Sequence, residues 1–205
     1  MLSDSVKNFI NIVSKLPSIG PRQATRLAFY LINSGKNQIE ELEKAVSDLK
    51  KIKTCERCFF IYTDRCPICS DKSRLQDILM IVEKETDLIS LEKTGRFHGQ
   101  YLILGGLAKN GVLEPQQKLR LKSLAERIKK EFGGQLKEII LAFNPTTFGD
   151  FTSSLIEQEL KPFAQKISRL ARGVPTGGEI EFADEETLKS AFEGRKWNFY
   201  MINDF

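Results

Sequence analysis

The chain has 205 residues, of which 41% are hydrophobic and 28% are charged, so it can build one large core or two modest ones. Its longest apolar runs, such as Ile78–Val82 and Ile139–Phe143, are far too short to cross a bilayer, which excludes a membrane-spanning protein. The first residues include Asp4 and no apolar stretch, so we expect no signal peptide and a cytoplasmic location.

The charge of the chain is unevenly distributed. The net charge is +4, and residues 1–53 hold nine Lys or Arg against five acids, so this first quarter carries the whole excess. A basic end of this kind favours contact with a polyanion, although a solvated helix face is the alternative.

The basic segment is predicted to contain three helices, because apolar residues recur there at helical spacing. The first helix ends at Val13, and the third covers Ile39–Ile52. Between the first two lies Leu16–Arg22, with the sequence Leu-Pro-Ser-Ile-Gly-Pro-Arg, in which Pro21 suits the first turn of the second helix. This string has the form of a helix–hairpin–helix turn.

The hairpin predicts a contact with DNA. Gly20 lets backbone amides approach a phosphate, and the start of the second helix adds the positive end of its dipole. Arg22 and Arg26 are four residues apart and therefore lie on one face of that helix. Such a unit would bind the DNA backbone without reading bases. The alternative is an ordinary corner between helices, with both arginines merely solvated.

Four cysteines form two Cys-x-x-Cys pairs, Cys55 with Cys58 and Cys66 with Cys69. This spacing predicts two knuckles that supply four sulfur ligands to one tetrahedral Zn²⁺. With four sulfur ligands no position remains for a catalytic water, so the site is expected to be structural. A disulfide or redox pair is the alternative, which a reducing cytosol disfavours.

The pattern changes from residue 77 onward, where short apolar strands alternate with helices. Strands are predicted at 77–83, 101–104, 138–143 and 167–171, and helices at 85–93, 116–132 and 152–160. Such alternation predicts a parallel sheet with helices on both faces, hence an α/β domain.

Two strand ends of this sheet carry the residues of interest. Glu83 closes the first strand, and Asn144-Pro145-Thr146 follows the third. A Glu at one strand end and an Asp-x-Asp at the next would bind Mg²⁺, as in the Toprim domains of topoisomerases and primases. Here Asn144 and Thr146 replace the two aspartates, so the ligand set is short.

Asp150 is the remaining acid near this edge. It would complete a metal site or, as the simpler alternative, cap the helix that follows. For Glu83 the simpler alternative is a carboxylate that accepts amides from Glu85 or Thr86. We therefore expect no catalysis. We expect the rings of Phe143, Phe148 and Phe151 to fill the core rather than to stack on bases.

The order of these parts resembles the RecR family of bacterial recombination mediators over nearly the whole chain. The resemblance is carried by Leu16–Arg22, the cysteine pairs, Asn144-Pro-Thr and the string from Arg172 to Leu188. It implies a helix–hairpin–helix domain at 1–53, a four-cysteine zinc finger at 54–75, a Toprim domain at 76–171, and a C-terminal Walker-B-like segment and tail at 172–205.

This resemblance implies a DNA clamp and adaptor rather than an enzyme. Proteins of the family form dimers and ring-shaped tetramers around duplex DNA. With RecO, and in some bacteria RecF, they help RecA displace single-strand binding protein at gaps. Arg22 and Arg26 would then contact DNA, and Glu83 and Asp150 would belong to the Toprim face that binds RecO. Phe148 stands where the family usually has an acid, which removes charge from this face.

Two further hypotheses stay open at the level of sequence. One is a Mg²⁺-dependent Toprim nuclease or topoisomerase-like enzyme, and the other is a structural interaction module whose basic excess is incidental.

The aromatic tail at 196–205 is expected to be an edge strand, either packed on the core or exchanged with a neighbour, with a partner-docking peptide as the alternative.

Overall fold

A computed structural model describes residues 2–195, which divide into two compact units. The first unit ends at Lys53 and the second begins at Thr54. No helix within the described range is long and apolar enough to cross a membrane.

The first unit contains three helices, as predicted: α1 is Asp4–Val13, α2 is Pro21–Ser34 and α3 is Lys36–Asp48. The third helix ends before Ile52, because its last residues, Leu49–Lys51, tighten into a 3₁₀ turn of the kind common at helix ends.

The interior of this unit is small. Its buried residues are Val13, Ala24, Ala28 and Leu31, and none of them lies on α3. Large apolar side chains instead remain exposed along the three helices and the turn after them, namely Ile12, Phe29, Tyr30, Ile32, Ile39, Leu42, Val46 and Leu49. A helix as amphipathic as α3 normally buries one face, so this unit presents an apolar surface that lacks cover from its own residues.

The second unit is built on a parallel sheet of four strands, which confirms the α/β prediction. The strands are β3 (Ile78–Val82), β4 (Gln100–Ile103), β5 (Leu136–Ala142) and β6 (Ala164–Arg169), in the order β4-β3-β5-β6. A separate two-stranded sheet pairs β1 (Lys53–Thr54) with β2 (Ile61–Tyr62). In the larger sheet Val82 lies opposite Ile103 and Ala142, so three strands end at one edge.

Helices cover both faces of the sheet, because successive side chains of a strand point to opposite faces. On one face Leu79 and Ile81 pack against α5 (Pro115–Glu131) and α6 (Thr147–Leu160). On the other face Met80 and Val82 pack against α4 (Glu85–Glu92) and against three of the cysteines. The four-cysteine element therefore takes part in the core of the α/β domain.

The C-terminal segment follows β6 with a 3₁₀ turn, Ile180–Phe182, and a last helix, α7 (Glu185–Glu193). Asp184 caps α7 by accepting a hydrogen bond from the amide of Thr187 at 2.9 Å. The aromatic tail at 196–205, for which an edge strand was predicted, lies outside the described residues.

Candidate metal centre and nucleic-acid interface

The four cysteines meet at one point. Their Sγ atoms all lie within 4.8 Å of one another, with Cys55 and Cys69 at 3.8 Å and Cys58 and Cys66 at 3.4 Å. Three of these side chains are buried and Cys69 is half-buried. A disulfide requires sulfur atoms about 2.05 Å apart, so the cluster consists of four free thiols.

The backbone of each knuckle positions its sulfurs. In the first, the amide of Phe59 donates to the carbonyl of Cys55 and the amide of Cys55 donates to the carbonyl of Phe60, both at 2.8 Å. Phe59 takes a left-handed conformation, with φ of 62°, which closes this turn. In the second knuckle the amide of Cys69 donates to Sγ of Cys66 at 3.4 Å.

The geometry fits a tetrahedral ion with sulfur ligands. Zn–S bonds of about 2.3 Å place ligand sulfurs about 3.8 Å apart at the corners of a tetrahedron. The distances within the cluster lie around that value. Hydrogen bonds with the neighbouring thiols, chiefly Cys58, lower the pKa of Cys69 to about 6. The hydrogen bond with Cys69 in turn raises the pKa of Cys58, and burial raises that of Cys66. One thiolate is thus favoured within the cluster itself, and a bound cation would favour the others. These cysteines could therefore hold one metal ion.

The cysteine element is anchored to the sheet through Cys58 and Phe59. The amide of Ile103 at the end of β4 donates to the carbonyl of Cys58 at 2.9 Å. The Phe59 ring packs against both hydrophobic cores, and the guanidinium carbon of Arg120 lies 4.4 Å from its centroid. Arg120 also donates to the carbonyl of Ile103 at 2.8 Å. The metal centre and the carboxyl edge of the sheet are thus parts of one packed structure.

At that edge Glu83 does not bind the amides of Glu85 or Thr86, contrary to the simpler alternative that the sequence offered. Its Oε2 instead accepts a hydrogen bond from Nδ2 of Asn144 at 3.2 Å. Among residues 2–195 the cysteines form the one group of three or more side chains arranged to hold a metal. Glu83 therefore has an amide partner where a Toprim enzyme would place a second carboxylate.

Asp150 does not cap the following helix, because α6 begins at Thr147, five residues before the predicted start. The cap is Thr146, whose hydroxyl accepts from the amide of Gly149 at 3.1 Å. A side chain at Gly149 would meet the carbonyl oxygen of Asn144 at 2.0 Å, so this tight entry requires glycine. Asp150 consequently lies within the first turn of the helix.

The carboxylate of Asp150 is engaged by two arginines that sequence reasoning did not single out as its partners. Arg169, at the end of β6, lies 3.3 Å from it, and Arg172 pairs with both Asp150 and Glu186 of α7. These pairs line a cleft of about 1260 Å³ between the α/β domain and the C-terminal segment. Within residues 2–195 no hydrogen bond or ion pair joins Asp150 to Glu83.

The prediction of core-filling rings is confirmed for Phe143, which packs against the core, and is wrong for Phe148 and Phe151. They are 48% and 41% exposed, while α6 buries the small and polar residues Gly149, Thr152 and Ser153. The hydroxyl of Thr152 accepts from the amide of Ala108 at 2.9 Å and donates to the carbonyl of Phe148 at 2.6 Å, which makes its burial tolerable.

In the first unit, Leu16–Gly20 forms the predicted hairpin between α1 and α2. The amide of Ile19 donates to the carbonyl of Leu16 at 3.2 Å, and Gly20 caps α2 without a side chain. Pro21 has no amide hydrogen, so the amides of the next two residues are the free donors at the helix start. Arg22 is exposed beside them.

The two arginines of this hairpin helix carry uncompensated charge. Arg22 and Arg26 are both exposed, and neither forms an ion pair with any residue in the described range. They lie one turn apart on a helix whose N-terminus has free amides, an arrangement suited to binding phosphate groups.

These parts define a class of protein that joins a helix–hairpin–helix unit to a Toprim domain. Residues 6–50 match the helix–hairpin–helix family of RecR, residues 77–171 match the Toprim domain, and residues 173–196 match the RecR C-terminal family.

Whole-chain relatives agree with these matches. The chain is 39% identical over 200 residues to "Recombination protein RecR" of Chloroflexus aggregans, covering 96% of this chain and 95% of that one. It is 40% identical over 195 residues to the protein of the same name from Rubrobacter xylanophilus, covering 94% and 96%. For the one from Clostridium perfringens the identity is 38% over 193 residues, covering 93% and 96%. The chain belongs to the RecR family of recombination proteins.

Proposed function

We propose that this protein is a DNA-binding recombination mediator that helps load RecA onto single-stranded DNA at gaps, together with RecO and, in some bacteria, RecF. The proposal is carried by Arg22 and Arg26, which are exposed and have no ion-pair partner among residues 2–195. They lie beside the amides at the start of α2, in a chain of the RecR family. Both double- and single-stranded DNA offer the phosphates that these groups would bind, without regard to base sequence.

Salt-dependent binding of labelled DNA duplexes and single strands tests this role. We expect binding to both forms, weakened in the double variant Arg22→Ala/Arg26→Ala. Binding that is unchanged in this variant would remove the hairpin from the interface. Absence of any binding by the wild-type chain at moderate salt would favour a structural module whose basic charge is incidental.

The four-cysteine centre is proposed to hold one structural Zn²⁺. Four sulfur ligands, with Cys55, Cys58 and Cys66 buried, leave no open position for a substrate or water. The ion would cross-link the two knuckles. Because the first knuckle contacts the end of β4 through Cys58 and Phe59, the ion would also stabilise that strand end. Metal analysis of the purified chain is expected to give about one zinc per molecule.

The Toprim domain is proposed to bind a partner rather than to catalyse a reaction. Glu83 is the one carboxylate of the Glu83–Asn144 pair, and a single carboxylate holds hydrated Mg²⁺ weakly. Glu83 and Asp150 are proposed to contribute to the face that meets RecO. Because Asp150 is already paired with Arg169 and Arg172, RecO would have to contact this group of charges as a whole or displace part of it.

Self-association is proposed as a homodimer or a homotetramer. In the first unit, apolar side chains such as Leu42 and Val46 on α3 stay exposed, and a second copy of the chain would cover them. Solution mass measured by light scattering is expected to exceed the 23.3 kDa of one chain by a factor of two or four. A monomer at micromolar concentration would contradict this part of the proposal.

The remaining parts of the proposal concern organisation and place. We propose a helix–hairpin–helix domain at 1–53, a zinc finger at 54–75, a Toprim domain at 76–171 and a C-terminal segment at 172–205. We also propose that the protein acts in the cytoplasm.

A further inference from the structure

The first cysteine knuckle is contacted by a helix that lies far away in sequence. Nη1 of Arg127 on α5 donates to the carbonyl oxygen of Arg57 at 2.8 Å. Arg57 stands between Cys55 and Cys58, so this bond holds the backbone of the knuckle itself. One helical turn further, Glu131 accepts two hydrogen bonds from the Arg57 guanidinium, at 2.7 and 3.0 Å.

The charges of these two arginines are neutralised differently. Arg57 forms an ion pair with Glu131, with Nη2 and Oε2 2.7 Å apart. Arg127 forms no ion pair with a carboxylate anywhere in residues 2–195, and its Nε is buried there without a hydrogen-bond partner. Arg127 is half-buried, and removing part of a cation from water is costly unless a negative charge lies close by.

A zinc-loaded sulfur cluster would supply such a charge, in addition to Glu131, which is already paired with Arg57. Four thiolates and one Zn²⁺ carry a net charge of −2, and Cys58 is fully buried, so water screens that charge poorly. The carbonyl to which Arg127 donates belongs to the knuckle between Cys55 and Cys58, so the guanidinium is held beside the sulfur cluster.

We propose that Arg127 is the counter-ion of the four-cysteine zinc centre and that it also positions the first knuckle through the Arg57 carbonyl. The inference rests on the proposed zinc site and extends it to a residue that is not a ligand. Partners that orient and balance metal ligands commonly change metal affinity by 10- to 100-fold when they are removed.

Zinc affinity of the full-length chain tests this proposal, measured by competition with a chromogenic chelator. Arg127→Lys and Arg127→Gln can both still donate to the Arg57 carbonyl, but only lysine keeps the charge. Lys130→Gln is the matched control, because Lys130 is exposed on the same helix and its substitution also removes one positive charge. We expect the zinc Kd to rise about 10-fold or more in Arg127→Gln, to stay close to wild type in Arg127→Lys, and to be unchanged in the control.

Equal zinc affinity of the lysine and glutamine variants would overturn the counter-ion role. Absorption of the Co²⁺-substituted variants adds a spectroscopic readout, and we expect the thiolate-to-cobalt bands of Arg127→Gln to shift from those of the wild type. The circular dichroism spectrum of Arg127→Gln is measured at saturating zinc. A spectrum that still differs from that of the wild type would show that Arg127 is needed for packing, and this result would also contradict the proposal. If the wild-type chain itself binds no zinc, the proposed metal site fails instead.

Discussion

The clearest quantitative prediction concerns the two arginines of the hairpin helix. Arg22 and Arg26 are exposed and without ion-pair partners among the described residues, so each is free to neutralise one phosphate. Each such contact contributes about −0.9 to the slope of log K against log salt concentration for duplex DNA. Removing both should make the slope less negative by about 1.8. Between 50 and 200 mM salt the wild-type chain should therefore lose about 12-fold more affinity than Arg22→Ala/Arg26→Ala.

Fluorescence anisotropy with a labelled duplex over that salt range measures both slopes. A suitable control is Lys36→Ala/Lys44→Ala, which removes two exposed positive charges from α3 in the same unit. We expect the control to retain most of the wild-type slope. Identical slopes for wild type and the arginine variant would refute the hairpin contact. An equal decrease in slope in both double variants would show that the arginines act only through the general positive charge of the unit.

Three further predictions follow from particular contacts. Glu92 forms a mostly buried ion pair with Arg74, which lowers the pKa of Glu92 despite its burial. Glu92→Gln should cost about 2 kcal/mol in urea unfolding at pH 7. The difference should begin to shrink as the pH falls through the ordinary glutamate pKa of about 4.3 and should vanish only below the lowered pKa of folded Glu92. Leu42→Glu/Val46→Glu places charges on the exposed apolar face of α3 and should reduce the mass measured by light scattering to that of a smaller species. Glu83→Gln should leave DNA binding unchanged, and wild-type protein supplied with Mg²⁺ should not cleave or relax plasmid DNA; turnover that is lost in the variant would reinstate the enzyme hypothesis.

Features governed by local spacing could be predicted from the sequence. Two Cys-x-x-Cys pairs place sulfurs together through turns of four residues, and the structure confirms that all four meet. The three N-terminal helices and the alternation of strands and helices were likewise readable from apolar periodicity, because each burial pattern extends over several turns or a whole strand.

Features that depend on contacts distant in sequence could not be predicted. The partners of Asp150 lie 19 and 22 residues away, and the knuckle residue Arg57 meets α5 about 70 residues later. The exposure of Phe148 and Phe151 was missed for a different reason. The buried face of α6 starts with Gly149, Thr152 and Ser153. Because these residues are not hydrophobic, the sequence shows no apolar periodicity there, and the first turn of the helix is taken for a loop.

The pairing of Glu83 with Asn144 joins two strand ends of the Toprim edge through a carboxylate and an amide. Two carboxylates at hydrogen-bond distance repel each other, and they need a metal ion or a shared proton to stay together. An amide replaces this requirement, because its Nδ2 donates directly to the Glu83 carboxylate across 3.2 Å. A carboxylate and a neutral amide thus join the ends of β3 and β5. An edge built in this way has one acidic group and lacks the second charge that phosphoryl chemistry would need.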